Sequence, residues 1–491
     1  MFLKIIFLSF LVLISCKKAD LFHDAVQSNT IYIVGNPVFS LASGTYATAQ
    51  SLTLTVEPSD ATIRYTTDGS EPSTTNGTIY SGAIDIFGPT AVIKAIGYKT
   101  DWKNSSVVTR NYIIDSGAVP PPAVETGAIT FLVVHNSQLY CGTKNTTAGA
   151  EVYLFTSESN FVKVLDPAAL GWNGTYEYIN SMASIGGRIY VGVYNAVNGG
   201  EVWRTTNTSV TPYLWEKVYD QNPPFNSIGA IAEFGGSVVI GVSSFDTGGT
   251  NTEKVRILYS NSGNNGTFVD MTGPWGLYNN EVAYFTVYGG HLYIATIKQS
   301  NNFGDGCELY RYEGVPGGGI WRALVDQAGG IRGGGFAAAG GANDNNMGLT
   351  SFAEHSGYFY MGVKSVTVTT GLPNQGCKIW RSNDMLTEAS YQPVVGDGAA
   401  VNGGFGSIQN VSVDTLIVFQ GTLYALTRNS VTGTQLWGST DGINWTQRNT
   451  SGFGDVNNTS GRAAIVFNNK LYIGLEKSGG GASLIYFSSA P

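Results

Sequence analysis

The residues best suited to chemistry gather in the longer loops of a repeated pattern. Trp275, Phe303, Phe336 and Phe405 bring aromatic faces, and Asp305, Asn343 and Asp344 bring carboxylate and amide groups to the same or adjoining stretches. Such a mixture suits sugar rings, whose apolar faces stack on aromatics and whose hydroxyls are hydrogen-bonded. We take these seven residues as the candidate ligand site. No cofactor is required by the pattern, although Asp305 and Asp344 could serve as oxygen ligands to a Ca²⁺ ion. Other reactive types are distributed differently. Glu151, Glu201 and Glu308 occupy one recurring position, and Arg204, Arg311 and Arg381 another. Recurrence at one repeat position argues for a structural task over a single catalytic pair. His135, His291 and His355 fall at or beside equivalent turns of different repeats and lack a partner motif such as His-Glu-x-x-His. The glycine runs at 317–319 and 333–335 flank no Lys-Ser/Thr pair, so they read as loops and not as phosphate cradles. No catalytic residue is assigned, and the expectation is a chain that is not an enzyme.

A repeat must position those loops. Residues 414–449 read as four short β-type runs, alternating or β-branched and aromatic, separated by Gly and Asp-Gly turns, with no helical period between them. Aligning the second run places Tyr140, Tyr190, Val239, Tyr293, Tyr360, Tyr424 and Tyr472 in register; the third aligns on Tyr153, Trp203, Tyr259, Tyr310, Trp380, Trp437 and Tyr486. Repeats of about 50 residues with four strands each are the signature of a β-propeller. Seven blades are expected over 127–491. The last copy lacks a fourth run, and residues 119–127 are expected to supply it.

The blades are unequal. Second-strand to third-strand anchors stand 13 residues apart in blades 1, 2 and 6 and 14 in blade 7, but 20, 17 and 20 in blades 3, 4 and 5. Insertions in a repeat array collect on one face, commonly the binding face. That asymmetry is what directs attention to the candidate residues above.

The 491 residues include 64 Gly, only 13% are charged, and the formal net charge is -8. This composition fits a turn-rich all-β chain and excludes a nucleic-acid partner, which would call for a basic face. At the N-terminus Lys4 precedes an apolar run, residues 5–14, too short to span a bilayer. Leu13-Ile14-Ser15-Cys16 resembles a bacterial lipobox. That resemblance implies cleavage before Cys16, acylation of Cys16, and a mature protein held to the membrane by lipid. The expected order is a signal peptide at 1–15 and a flexible tether at 16–30, with the protein at the outer membrane or cell surface as a monomer. Cys141, Cys307 and Cys377 are expected to be free, buried thiols.

Residues 31–114 carry short strand-like runs suited to a small immunoglobulin-like sandwich. The wording of residues 61–72 (ATIRYTTDGSEP), with Ile79-Tyr80-Ser81-Gly82 and Ile93-Lys94-Ala95-Ile96, resembles the chitobiase/β-hexosaminidase C-terminal domain family. In that family the domain is a non-catalytic sandwich, and the α/β alternation of a hexosaminidase barrel has no counterpart in this chain. Asp68-Gly69 reads as a hairpin turn, and residues 115–126, with three consecutive prolines, as a stiff linker. Ser439-Thr440-Asp441-Gly442 resembles a shortened Asp-box of sialidase-like propellers, in which the carboxylate folds onto turn amides. The arginine triad of sialidases is absent.

The leading expectation is a cell-envelope lipoprotein that binds carbohydrate or an extracellular protein. The alternatives are a sialidase-like glycoside hydrolase or other polysaccharide-degrading enzyme, and a structural adhesin or spacer. A pair of carboxyl groups facing the central cavity at glycosidase separation, about 5 to 10 Å, would separate enzyme from binder. The lipobox resemblance generates a direct test. Cys16→Ala should move the protein from the membrane fraction to the soluble fraction, and a variant that still carries lipid would end the lipoprotein reading.

Overall fold

The computed structural model describes residues 31–46, 50–67, 69–86, 91–114, 127–157, 160–221, 225–244, 255–273, 279–298, 306–326, 330–337, 346–365, 375–481 and 483–487. Residues 119–126, expected to complete the last blade, lie outside this set, as do the N-terminal segment, Asp68 and the 115–126 linker. Two compact units emerge, one within residues 31–112 and one from 113 onward. In the first, a five-stranded antiparallel sheet runs in the order Gly44–Tyr46, Val108–Ile114, Ala91–Tyr98, Thr62–Thr66, Thr78–Ile79. Two further strand pairs, Val38–Phe39 with Leu54–Thr55 and Gln50–Leu52 with Ile84–Ile86, complete it. Its core is Leu52, Ile63, Ile86, Ile93, Ala95 and Tyr112, drawn from the alternate positions that β-structure sends to one face.

The second unit is seven consecutive antiparallel sheets. Their innermost strands are Ala128–His135, Tyr176–Ile185, Ser227–Phe234, Asn279–Tyr288, Asn346–His355, Ser412–Phe419 and Asn458–Phe467. Blades 1 to 6 have four strands each, and blade 7 shows three among the described residues. The second-run anchors, six tyrosines and Val239, all lie on the second strands, where Tyr140, Tyr360 and Tyr424 are at most 1% exposed.

One backbone bond recurs where neighbouring blades meet. The amide just after the second strand's last side chain reaches the next blade's inner strand: Asn145 to Glu177, Asn195 to Asn226, Ser365 to Val411, Asn429 to Thr459 and Lys477 to Gly127, all at 2.8 to 2.9 Å. The last of these joins blade 7 to blade 1, where Glu476 pairs with Ala128. The seven clusters of buried side chains in this unit are each shared by two consecutive blades, and one of them unites Ile129, Leu132 and Cys141 of blade 1 with Tyr472 and Leu484 of blade 7. The ring of blades is therefore continuous.

Steric fit sets the spacing of the seams. A Cβ placed on Gly142, Gly192, Gly241 or Gly474 would stand 2.7, 2.6, 2.8 or 2.5 Å from Ile179, Ile228, Val282 or Ile129 of the adjoining blade. In blade 6 the sizes are exchanged: Leu426 takes the small residue's place, and Gly461 opposite it would bring a Cβ to 2.7 Å. Gly474→Ala should accordingly cost about 1–3 kcal/mol of stability, as overpacking does. Ile129→Ala in the same chain should recover part of that loss in urea unfolding, because contacting residues couple. Strict additivity of the two would show that this contact does not close the ring.

Candidate functional site

Each seam leaves three side-chain positions facing the middle of the propeller. They are the residue two beyond the seam on the inner strand, the residue four beyond the second-strand anchor, and the residue opposite it. In chain order the first position is held by Thr130, Asn180, Gly229, Ala283, Thr350, Asp414 and Arg462, and all seven line one central cavity of about 830 Å³. The second position contributes Tyr194, Ile297, Lys364, Arg428 and Glu476, and the third Tyr178, Glu281 and Ser412. The backbone is nearly the same at each seam while the side chains differ. That combination marks a site more than any repeated residue does.

The charged groups are concentrated at the seam between blades 6 and 7. Arg428 reaches Asp414 at 2.9 Å and Glu476 at 3.0 Å, and Arg462 approaches Glu476 at 3.9 Å. Ser460, opposite Arg428, donates its hydroxyl to Asp414 and accepts from Arg428 at 3.3 Å. Burial alone would push the Asp414 carboxyl up, but the Arg428 guanidinium and the Ser460 hydroxyl outweigh it and hold the group below the usual carboxylate range. Proximity to Ser412 and Arg462 adds to this. Asp414 raises Arg428 in turn, against its burial. Next to this group, Arg462 stands 5.8 Å over the Tyr178 ring, Lys144 stands 4.8 Å over the same ring, and Tyr178 meets Tyr194 edge to face at 5.6 Å. Burial and the neighbouring Glu177 raise the Tyr194 hydroxyl, so it stays protonated.

The loop residues singled out in the sequence are placed elsewhere or not at all. Trp275, Phe303, Asp305, Asn343 and Asp344 lie outside the described residues. Phe336 is 2% exposed, stacked at 5.0 Å on Trp380 of blade 5 with Tyr391 beside it, so it has no free face for a ligand. Phe405 is half-buried, stacked at 4.5 Å on Trp437 with Trp445 at its edge. Both are corrected to wedges between blades. Each follows a glycine that, like the Phe itself, has positive φ, and the same geometry recurs at Gly452-Phe453. The glycine amide bonds the preceding blade (Gly335 to Cys307, Gly404 to Cys377, Gly452 to Thr434), while Asn346, Asn410 and Asn458 donate to its carbonyl at 2.7 to 2.9 Å.

The recurring polar residues are structural, as their repetition implied. Glu151 pairs with Lys163 at 2.6 Å and accepts the Tyr153 hydroxyl at 2.8 Å; Glu201 accepts from Trp203 Nε1 at 2.7 Å. Arg204 and Arg381 donate to the anchor hydroxyls of Tyr190 and Tyr360 at 3.2 and 3.3 Å. His135 meets Ser184 Oγ at 2.8 Å and His355 meets the Thr440 carbonyl at 2.9 Å, each tying a turn to a neighbouring blade. Asp441 accepts the amides of Ile443 and Asn444 at 2.8 Å, the fold-back expected of an Asp-box, and Asp384 does the same with Leu386 and Thr387. Cys141, Cys307 and Cys377 are free and buried, and burial pushes all three thiols up.

Fold and cavity together define an all-β protein with a sandwich unit and a propeller whose center is polar. Residues 41–110 match the family of the chitobiase/beta-hexosaminidase C-terminal domain. An endoglucanase of Clostridium saccharobutylicum is 49% identical over 49 residues, a stretch that spans 10% of this chain and 11% of that protein. Among solved structures, the WD40 β-propeller domain of Doa1 matches with a TM-score of 0.45 and 10% identity, over 76% of this chain and 96% of that one. The α-L-arabinanase of Penicillium chrysogenum, complexed with arabinobiose, matches with a TM-score of 0.37 and 13% identity, over 62% and 92%. The expectation of a chain that is not an enzyme is corrected at this point, since the matched relative is an endoglucanase.

The depressed Asp414 carboxyl has a pH signature. Its folded pKa lies below its unfolded value of about 3.9, so its contribution to stability is complete above that value and is lost as pH falls through the folded one. Asp414→Asn should lower the urea midpoint at pH 7 and flatten its decline below pH 5. An unchanged acid slope in the variant would show that Asp414 is not held ionised by Arg428.

Proposed function

We propose that this chain is a carbohydrate-degrading enzyme, a glycoside hydrolase acting in the central cavity, with Asp414 and Glu476 as its carboxyl pair. The observation that carries the reading is that both groups are held on one guanidinium, at 2.9 and 3.0 Å from Arg428. Those contacts and the width of a guanidinium keep the two oxygens within roughly 8 Å, and carboxyl pairs that cleave glycosidic bonds stand about 5 to 9.5 Å apart. In this reading Asp414 is the ionised member that meets positive charge developing at the anomeric carbon. Glu476, the more open of the two at 18% side-chain exposure against 9%, is the member placed to exchange a proton with the leaving oxygen and the attacking water. Asn180, on another blade of the same cavity, offers its amide oxygen to sugar hydroxyls, and a cavity of about 830 Å³ accommodates a short saccharide. The endoglucanase relative supports a saccharide substrate. The lipobox-like spacing at Cys16 supports action at the cell envelope.

Release of reducing ends from a panel of neutral and acidic polysaccharides tests the reading. Asp414→Asn and Glu476→Gln should each slow cleavage by about 10²- to 10⁴-fold, with circular dichroism showing the folded state retained. Cleavage at the parent rate in both variants would move the chemistry away from this pair.

A further inference from the structure

We infer that the saccharide carries an acidic group, and that Lys364 and Ser412, at the seam between blades 5 and 6, read it. The inference rests on the hydrolase reading for its substrate class but on different residues. It comes from comparing two seams built on the same backbone. Between blades 6 and 7 the cation Arg428 stands opposite Ser460, and its charge is met by two acids, Asp414 on the inner strand of its own blade and Glu476 on the second strand of the next. Between blades 5 and 6 the bond from the Ser365 amide to the Val411 carbonyl, at 2.9 Å, sets Lys364 opposite Ser412 in the same way. There the place of Asp414 is taken by Thr350, whose hydroxyl is spent on the Val413 carbonyl at 2.6 Å, and the place of Glu476 is taken by a second cation, Arg428.

The result is a cation with no acid of its own, because Asp414, the inner-strand residue that shares this seam, is already held by Arg428 and Ser460. Among the described residues no carboxylate lies within ion-pair distance of Lys364, which is half-buried on the cavity wall. Ser412 is 1% exposed, and its Oγ lies beside the Asp414 carboxylate and lowers it, but meets no partner at full hydrogen-bond geometry among the described residues. A buried hydroxyl left in this state is costly, and a ligand that accepts from it relieves the cost. A neutral sugar hydroxyl would satisfy Ser412 alone. An anionic oxygen would satisfy the hydroxyl and the ammonium together, as charge-assisted hydrogen bonds do. The other cavity acids belong to other blades, Glu177 to blade 2 and Glu281 to blade 4. A uronic carboxylate and a sulfate ester share this chemistry.

Matched oligosaccharides that differ only in charge separate the possibilities: an oligogalacturonate against its methyl ester, and a chondroitin sulfate oligosaccharide against its desulfated form. Binding to the full-length protein is measured by calorimetry at low and high salt. At least one acidic member should bind tenfold or more tighter than its neutral partner, with a preference that shrinks in salt. Lys364→Met should bring the pair to within about twofold, Lys364→Arg should keep most of the preference, and Ser412→Ala should weaken it with the fold intact. Equal binding of both members, no binding by any acidic member, or a preference that survives Lys364→Met in a folded protein overturns the inference. Cleavage of a neutral polysaccharide that Asp414→Asn abolishes, without charge preference, sinks this inference and leaves the hydrolase reading. Charge-selective binding without cleavage does the reverse.

Discussion

A blade of this propeller can join its neighbour only where a large side chain meets a vacancy, and the rest of the second unit depends on that fit. Gly142, Gly192, Gly241 and Gly474 leave the vacancies; Ile179, Ile228, Val282 and Ile129 fill them. Interiors pack at crystal-like density, so a single added methylene at such a contact forces a shift. The exchange at Leu426 and Gly461 shows that the conserved quantity is the summed volume across the seam and not the residue at either position. Once the seams are fixed, the backbone bonds beside them fall into one pattern and the inner strands surround a cavity.

That regularity is what lets the cavity wall vary. Side chains at the three inward positions do not set the spacing of the blades, although Thr130, Asn180 and Thr350 each bond across to the next one, so a glycine, a tyrosine, a lysine or a carboxylate can also stand there. The exception is the Asp414, Arg428 and Glu476 group, where charges stand close together with Asp414 almost fully buried. Partly buried ion pairs seldom add much net stability, because desolvation offsets their attraction.

The aromatic residues teach a related point. Phe336, Phe405 and Phe453 sit in positive-φ turns that no side chain favours, each after a glycine that does. The strain is offset by stacking, on Trp380 for Phe336 and on Trp437 for Phe405. Trp172 does the same work between blades 1 and 2, packing edge to face on Trp203 at 5.7 Å. An aromatic ring used as a wedge and one used as a sugar platform have the same residue type and the same loop context.

What the amino-acid order determined by itself was the architecture. Period-two alternation, Asp-Gly and Gly turns and tyrosine anchors at regular intervals are local signals, and they sufficed for the all-β class, a sandwich within 31–114 that contains the family match at 41–110, the repeat and the structural use of Glu151, Arg204 and Asp441. Residues of the cavity were also visible in principle, four positions beyond the anchors, as Tyr194, Ile297, Lys364, Arg428 and Glu476. They carried no signal, because variation at a repeat position looks the same for a solvated surface as for a site. Only the closed arrangement of blades decided between the two. It brought Asp414 and Glu476, 62 residues apart in sequence, onto one guanidinium, turned Phe336 inward, and left Lys364 without an acid. Burial and charge pairing are properties of the neighbours a residue acquires in three dimensions, and those neighbours come from other blades.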